Sequence, residues 1–407
     1  MAQVSLLSLH TSPLAQPGTG DSGGMNVYVR ELAAGLAHGG HDCTVYVRCD
    51  RPGLPARVPV EPGVTVAHLP AGPLGLAKED LPSVVDEWAD RVAEAIDTGG
   101  GTDVLHSNYW LSGMAGHRLK HELDRPLVST FHTLARVKGA SGDPEPEERA
   151  RAEAAVMACS DAVLASCPAE AHQIVAHYGV PPARIALVAP GVERALFSPG
   201  PRAAARAAVA DLDLGERPML LLVGRIQRLK GIDVAVDALT QMRTRDATLV
   251  VCGGPSGPEG EACLDEVRAQ VAAHGLGDRV RIVSPRPHHE LSSLYRAADV
   301  VVVPSRSESF GLVALEAAAC GRPVVASAVG GLATLVDHRQ TGLLLTRRDP
   351  ADWAAALDGL LAAPHLAARL CRAAAVASRR YRWARAAGDL AAVYAEVTGR
   401  PPLDCAA

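Results

Sequence analysis

Short β-branched runs alternate with Ala/Leu/Arg-rich helical stretches along the whole chain, and the alternation restarts halfway. The first half carries VSLLSLH from Val4, CTVYVRC from Cys43, VTVAHL from Val64, DVLHS from Asp103, PLVSTFH from Pro126, AVLAS from Ala162 and IALVAP from Ile185. The second half begins again with MLLLVGR from Met219, then ATLVVCGG from Ala247, VRIVSP from Val280, VVVVPS from Val300, PVVASA from Pro323 and GLLL from Gly342. Near-continuous apolar runs separated by helices specify parallel sheets covered on both faces. Between the halves PGVERALFSPGPR, Pro190 to Arg202, interrupts both periodicities with proline and glycine and reads as a hinge. With 407 residues the chain is long enough for two cores. The expected fold is α/β, with two Rossmann-like domains facing each other across a cleft. They span residues 1–192 and 193–375, and a helical segment over 376–407 is free to pack back on the first. Ligands of such sheets bind beyond the carboxyl ends of the strands.

Charge and composition remove several function classes. The 40 basic and 45 acidic residues nearly balance, so no nucleic-acid partner is expected. No apolar run approaches the roughly 18 residues of a membrane span. The opening MAQVSLLSLH lacks a basic n-region and a cleavage site, which implies a cytoplasmic protein without a membrane partner. Nine cysteines are scattered from Cys43 to Cys405 with no C-x-x-C pair, the pattern of reduced, mostly buried thiols rather than a disulfide framework or zinc site. Only four of the 40 basic residues are lysines: Lys78, Lys120, Lys138 and Lys230. Ammonium and guanidinium are not interchangeable at phosphate, so these four are candidates for chemically chosen positions.

Three motifs follow strand ends. HTSPLAQPGTGDSGGMNVY, His10 to Tyr28, places Gly18, Gly20, Gly23 and Gly24 before a helix beginning near Met25. Such a turn lets backbone N–H groups approach phosphate, although it is neither G-x-G-x-x-G nor a Walker loop, and a plain surface loop has the same look. GRIQRLKG, Gly224 to Gly231, puts Arg225 and Lys230 just past a buried strand, where two cations can converge on a diphosphate. ESFGLVALE brackets an apolar stretch with Glu308 and Glu316. With a helix starting near Ser309, the two carboxylates lie about 80° apart around it. Ionised carboxylates accept paired hydroxyl hydrogen bonds and suit the diols of a sugar and a ribose. Asp211-Leu212-Asp213 imitates an Asp-x-Asp metal motif but stands in a polar segment before Gly215, away from a strand end, so no metal ligand set is assigned.

These motifs resemble the retaining glycosyltransferases of family 4, with the GT-B fold, over nearly the whole chain. The E-x7-E pair of ESFGLVALE is moderately specific; HTSPLAQPGTGDSGGMNVY, HSNYWLSG, HTLARVKG, CGGPSGP and SPRP are similar to the subgroup that glycosylates D-inositol 3-phosphate in mycothiol biosynthesis. The resemblance implies a UDP-N-acetylglucosamine donor and small-molecule partners. It places Gln16, Pro17, Gly24, Arg225 and Lys230 along the donor, with Glu316 on the ribose and Arg286 on the uracil through its backbone. Glu308, with the amides of Ser309, Phe310 and Gly311, would hold the sugar, and His132 would face its reacting side. His132, Arg225, Lys230 and Glu308 are therefore the implied catalytic group. On the acceptor side it implies His10, Asp21, Ser22, Gly23 and Asn26 around the inositol ring, with Lys78, Tyr109, Thr133 and Arg149 clamping its phosphate. It also implies retention with an α-linked product, metal-independent chemistry without a catalytic cofactor, and a homodimer. The resemblance also leaves room for the family's peripheral magnesium site, although Arg322 stands where the family has threonine.

Departures cluster on the acceptor side: Asn108 replaces a histidine, Phe131 a smaller or thioether residue, Gly139 an asparagine and Cys167 a threonine. A paralogue in specialised metabolism, using another nucleotide sugar and a cyclitol, aminocyclitol or small thiol, is one alternative. A sucrose-phosphate synthase-like transferase is another. A nucleotide-sugar epimerase, which would release no UDP, and a non-catalytic nucleotide-sugar binder come from other classes.

Overall fold

The structure is a computed structural model and describes residues 1–257 and 259–403. Cys405 and the end of the 376–407 segment lie outside the described residues. The chain divides into two compact units, one made of Met1–Ala15, Met25–Gly191 and the chain from Trp383, the other of Gln16–Gly24 and Val192–Arg382. Three departures from the expected division stand out. The chain changes unit at Gly191/Val192, the glycine-rich segment Gln16–Gly24 groups with the second unit, and the helix Pro364–Ala377 belongs to the second unit while Trp383–Thr398 belongs to the first.

The first unit is built on an eight-stranded sheet of order β3-β4-β2-β1-β5-β6-β7-β8. Its strands are β1 (Gln3–Leu7), β2 (Asp42–Arg48), β3 (Arg57–Glu61), β4 (Val64–Leu69), β5 (Val104–Asn108), β6 (Leu127–Thr130), β7 (Ala162–Ala165) and β8 (Ile185–Leu187). All pair in parallel except β3, an edge strand antiparallel to β4. Sequence reading missed β3 because RVPVE contains a proline, which is tolerated only where the strand has an unpaired side. β1 is flanked by β2 on one side and β5 on the other, so the strand order reverses there and opens a crevice at the carboxyl ends.

The last helix completes this core. Trp383, Ala386, Ala387, Leu390, Tyr394 and Val397 recur on one face and join Val4, Leu6 and Val45 in a single apolar cluster. Gly35 makes the approach possible, since a Cβ there would sit 2.8 Å from the Ala387 methyl.

The second unit has a six-stranded, fully parallel sheet of order β11-β10-β9-β12-β13-β14. Its strands are β9 (Met219–Val223), β10 (Thr248–Cys252), β11 (Val280–Val283), β12 (Val300–Val303), β13 (Val324–Ser327) and β14 (Leu343–Leu345). β12 is four consecutive buried valines, as a strand covered on both faces requires. Here the order reverses at β9, between β10 and β12. No single helix among the described residues is long and apolar enough to cross a membrane.

Candidate functional site

In the first unit, the residues following β1, β5 and β6 meet at the reversal point. His10 stacks on Tyr109 with ring centroids 4.4 Å apart. Tyr109 has a φ of 77°, a conformation costly for a side chain bearing a Cβ, and immediately precedes the helix Trp110–Leu123. Two cations converge on its ring: Lys78 Nζ lies 5.1 Å from the centroid and Arg149 Cζ 4.9 Å. Arg149 Nη2 also donates to the backbone oxygen and the Oγ1 of Thr133, both at 3.0 Å. Lys78, Tyr109, Thr133 and Arg149 thus form one cluster, although they come from four separate segments.

Arg149 is itself held from behind. Its Nε donates to Glu153 Oε1 at 2.8 Å, and its Nη1 lies 2.9 Å from Glu145 Oε1. Burial pushes the Glu145 carboxyl up, but Arg149 and Lys138 outweigh it and keep it below its ordinary range. Sequence reading found no local signature at Arg149. The Arg149-x3-Glu153 spacing is a signature of this kind, since residues four apart share a face of the helix Glu147–Cys159, whereas Glu145 reaches Arg149 from the chain before that helix.

His132 follows β6 with a φ of 62°, and the Thr133 N–H donates to Phe131 O at 2.7 Å, closing a tight three-residue turn around it. Its Nε2 lies 3.0 Å from Asn108 Oδ1, and its ring packs edge-on to Tyr28 at 5.0 Å. Burial lowers its pKa to about 3, so the imidazole is neutral. Asn26 donates to Thr11 Oγ1 and Ser12 O, both at 2.6 Å, tying the first helix to the chain after β1.

The second unit gathers the other set. Lys230 Nζ pairs with Glu308 Oε2 at 2.8 Å, joining the loop after β9 to the loop after β12. Arg225 Nη1 donates to Ser256 Oγ at 3.1 Å. Glu316 is only 7 % exposed; its Oε1 faces His288 Nε2 at 3.0 Å and its Oε2 accepts from the Tyr295 hydroxyl at 2.7 Å. Burial and then Glu316 push the Tyr295 hydroxyl well above its ordinary pKa, so it remains a donor. Sequence reading missed His288 and Tyr295, because their role appears only when the helix His288–Ala297 packs beside Glu316.

The helix expected near Ser309 begins at Leu312 instead. Gly311, at a φ of 101°, forms its entry, so Glu308 lies in the preceding loop and Glu316 in mid-helix. The amides of Ser309 and Gly311 sit on the approach to that N-terminus, whereas the Phe310 ring is buried against Tyr381 at 5.7 Å. The Arg286 guanidinium pairs with Asp211 and lies 3.8 Å from a Glu290 carboxylate oxygen, which gives the Asp211-Leu212-Asp213 sequence an ion-pairing role.

The glycine-rich segment is placed differently from expectation. Asp21, Ser22 and Gly23 group with the second unit, alongside Gln16, Pro17 and Gly24, while His10 and Asn26 stay with the first. The loop folds on itself, with Gly18 N–H donating to Ser22 O at 2.8 Å, and Gln16 Nε2 donates to Pro285 O at 3.1 Å. Gly23 lies against Arg225, where a Cβ would come 3.2 Å from Nε.

Residues 23–191 match the family described as glycosyl transferase 4-like domain, and residues 208–376 that described as glycosyl transferases group 1. The chain is 47% identical over 412 residues to the D-inositol 3-phosphate glycosyltransferase of Xylanimonas cellulosilytica, covering 98% of each chain. It is 44% identical to D-inositol 3-phosphate glycosyltransferase 2 of Catenulispora acidiphila, over 96% of this chain and 94% of that one. Among solved structures, the sucrose-phosphate synthase of Thermosynechococcus elongatus superposes with a TM-score of 0.90 at 33% identity, over 98% of this chain and 100% of the other. Anabaena HepE in complex with UDP and glucose does so with a TM-score of 0.81 at 20% identity, over 97% and 100%.

Proposed function

The chain belongs to the glycosyltransferase family that includes the D-inositol 3-phosphate glycosyltransferases, and on that premise we propose that it transfers N-acetylglucosamine from UDP-N-acetylglucosamine to D-inositol 3-phosphate with retention. The observation that carries the acceptor is the convergence of Lys78 and Arg149 on Tyr109, with Thr133 fixed by Arg149. A point-charge ammonium, a guanidinium fork and a hydroxyl around one spot suit a phosphate monoester.

On the donor side, Lys230 and Arg225 would neutralise the departing diphosphate, and the N-terminus of Leu312–Ala319 adds favourable backbone dipoles. Glu308 would accept from sugar hydroxyls while keeping Lys230 in place. Glu316, its second oxygen held by Tyr295, would take the ribose. In the step itself, the bond between the anomeric carbon and the diphosphate oxygen breaks as the acceptor hydroxyl oxygen bonds to that carbon on the same face. The hydroxyl proton passes to a leaving phosphate oxygen, which gives UDP and an α-glycoside. Neither glutamate is assigned as a nucleophile, since Glu308 is paired with Lys230 and Glu316 is held by His288 and Tyr295 and both are given to hydroxyl recognition, so the scheme needs no glycosyl-enzyme.

The test is UDP release from UDP-N-acetylglucosamine with and without D-inositol 3-phosphate, with product mass read from the same tube. A phosphorylated pseudo-disaccharide formed only with both substrates supports the reading. Donor binding without acceptor-dependent UDP release overturns the acceptor assignment. The 33% identity and close superposition with sucrose-phosphate synthase favour one second reading, which a sucrose phosphate product would establish.

A further inference from the structure

Every nitrogen of the Arg149 guanidinium faces a protein acceptor. Nε donates to Glu153 Oε1, Nη2 donates to the backbone oxygen and the Oγ1 of Thr133, and Nη1 pairs with Glu145 Oε1 at 2.9 Å. A guanidinium holds a phosphate best through two parallel N–H bonds, so an entering phosphate has to displace one of these partners. Glu153 is completely buried and also accepts from the Ala135 N–H and the Tyr178 hydroxyl, which fixes it in place. Thr133 belongs to the clamp itself. Glu145 is the partner able to leave: it is 19 % exposed, and it stands in the chain before the helix Glu147–Cys159. Its Oε1 also accepts from Lys138 Nζ, so it keeps a cation when it moves away from Arg149.

The charges point the same way. Lys78, Lys138 and Arg149 are matched by Asp143, Glu145 and Glu153, so the cluster is balanced before a phosphate adds its own charge. A phosphate arriving while Glu145 sits on Arg149 meets a like charge on the same guanidinium; once Glu145 is on Lys138 alone, the fork is open. We propose that Glu145 is a displaceable counter-ion of the acceptor site: it neutralises Arg149 before the acceptor binds, moves onto Lys138 as the acceptor phosphate takes its place, and returns to Arg149 as the phosphorylated product leaves. This role rests on the phosphate-clamp reading given above and adds a contact that limits acceptor affinity and favours product release. It also gives Lys138, one of only four lysines in the chain, a place where a compact point charge is wanted.

The test is calorimetry of D-inositol 3-phosphate against the full-length protein with UDP present. Glu145→Gln removes the charge at nearly constant size and should bind D-inositol 3-phosphate about tenfold more tightly than the wild type, with UDP affinity unchanged. A residue that merely supports the fold would change binding in the opposite direction. Lys138→Met removes the cation that receives Glu145 and should weaken binding by about tenfold. The double variant separates a displaceable counter-ion from a simple sum of charges. Without Glu145, Lys138 stays neutralised by Asp143 at 2.8 Å, so the double variant should bind like Glu145→Gln. Two charges acting independently on the phosphate would instead cancel, and double-variant binding equal to wild type would overturn the proposal, as would wild-type affinity in Lys138→Met. Should Glu145→Gln fail to fold, Glu145→Asp, whose shorter side chain draws the carboxylate back from Arg149, should shift affinity in the same direction. Binding by the wild type that Glu145→Gln leaves unchanged or weakens overturns the counter-ion role alone. Absence of binding by both proteins overturns the acceptor reading and this role with it.

Discussion

Arg149 and Glu153 form a buried ion pair one helical turn apart, 3 % and 0 % exposed, with Nε to Oε1 at 2.8 Å. The other oxygen of Glu153 accepts from the Ala135 N–H at 2.9 Å and from the Tyr178 hydroxyl, so the carboxylate is fully engaged and Arg149 cannot rotate without leaving it. The pair therefore aims the guanidinium at Thr133 and Tyr109.

Replacing Arg149 should consequently damage both stability and acceptor use. Arg149→Ala leaves a buried carboxylate without its cation, a loss of about 3–5 kcal/mol, measurable by denaturant unfolding. Arg149→Lys, with a point charge in place of a fork, should retain more stability yet raise the acceptor KM at least tenfold with donor affinity unchanged. Equal losses in donor and acceptor binding for Arg149→Lys and Lys78→Ala would contradict the phosphate clamp.

The Lys230–Glu308 pair makes a different prediction. If Lys230 acts on the leaving diphosphate, Lys230→Ala should lower kcat by about 10²–10³, the range for loss of one preorganised charge partner. Glu308→Gln keeps the size of the side chain and should affect the sugar rather than UDP. Competition by UDP alone separates the two: weakened UDP inhibition in Lys230→Ala with near-normal inhibition in Glu308→Gln is expected, and the reverse order would reassign the roles.

How far the sequence revealed this site depended on whether the signal was local. Arg225, Lys230, Glu308 and Glu316 stand in short motifs at strand ends, and period and position alone brought them forward. The late start of the helix at Leu312 was not readable, because Gly311 looks like any loop glycine until its positive φ places it at the helix entry. Likewise Glu153, His288 and Tyr295 act through packing between elements. That Asp21–Gly23 group with the second unit was not readable either, because it depends on contacts such as Gln16 Nε2 to Pro285 O, between residues 269 apart in the chain.

Glu316 should depend on Tyr295 for its orientation. Tyr295→Phe removes a buried donor to a carboxylate, a charge-assisted hydrogen bond of about 1.5–3 kcal/mol. Donor affinity measured by calorimetry should fall by about tenfold or more, whereas Glu316→Ala should weaken UDP and UDP-sugar alike. Unchanged nucleotide affinity in Glu316→Ala would remove the ribose assignment.

The buried histidines set the response to acid. His106 contacts the Tyr394 hydroxyl at 2.7 Å and Thr130 Oγ1 at 2.8 Å, and burial, followed by neighbouring His132, lowers its pKa to about 3. His132 is lowered to about 3 by burial alone. An unfolded imidazole titrates near 6.5. As pH falls below about 6.5 the unfolded chain therefore takes up protons that the folded chain refuses, and stability declines toward pH 3. The decline is up to about 1.4 kcal/mol per pH unit for each histidine. Above about pH 7 neither group contributes to the slope. Urea unfolding of the wild type and His132→Gln between pH 7.5 and 5 checks this: the variant should lose stability less steeply with acid. Parallel slopes would mean that His132 is not held neutral in the fold, and would reopen its assignment as an uncharged face for the donor sugar.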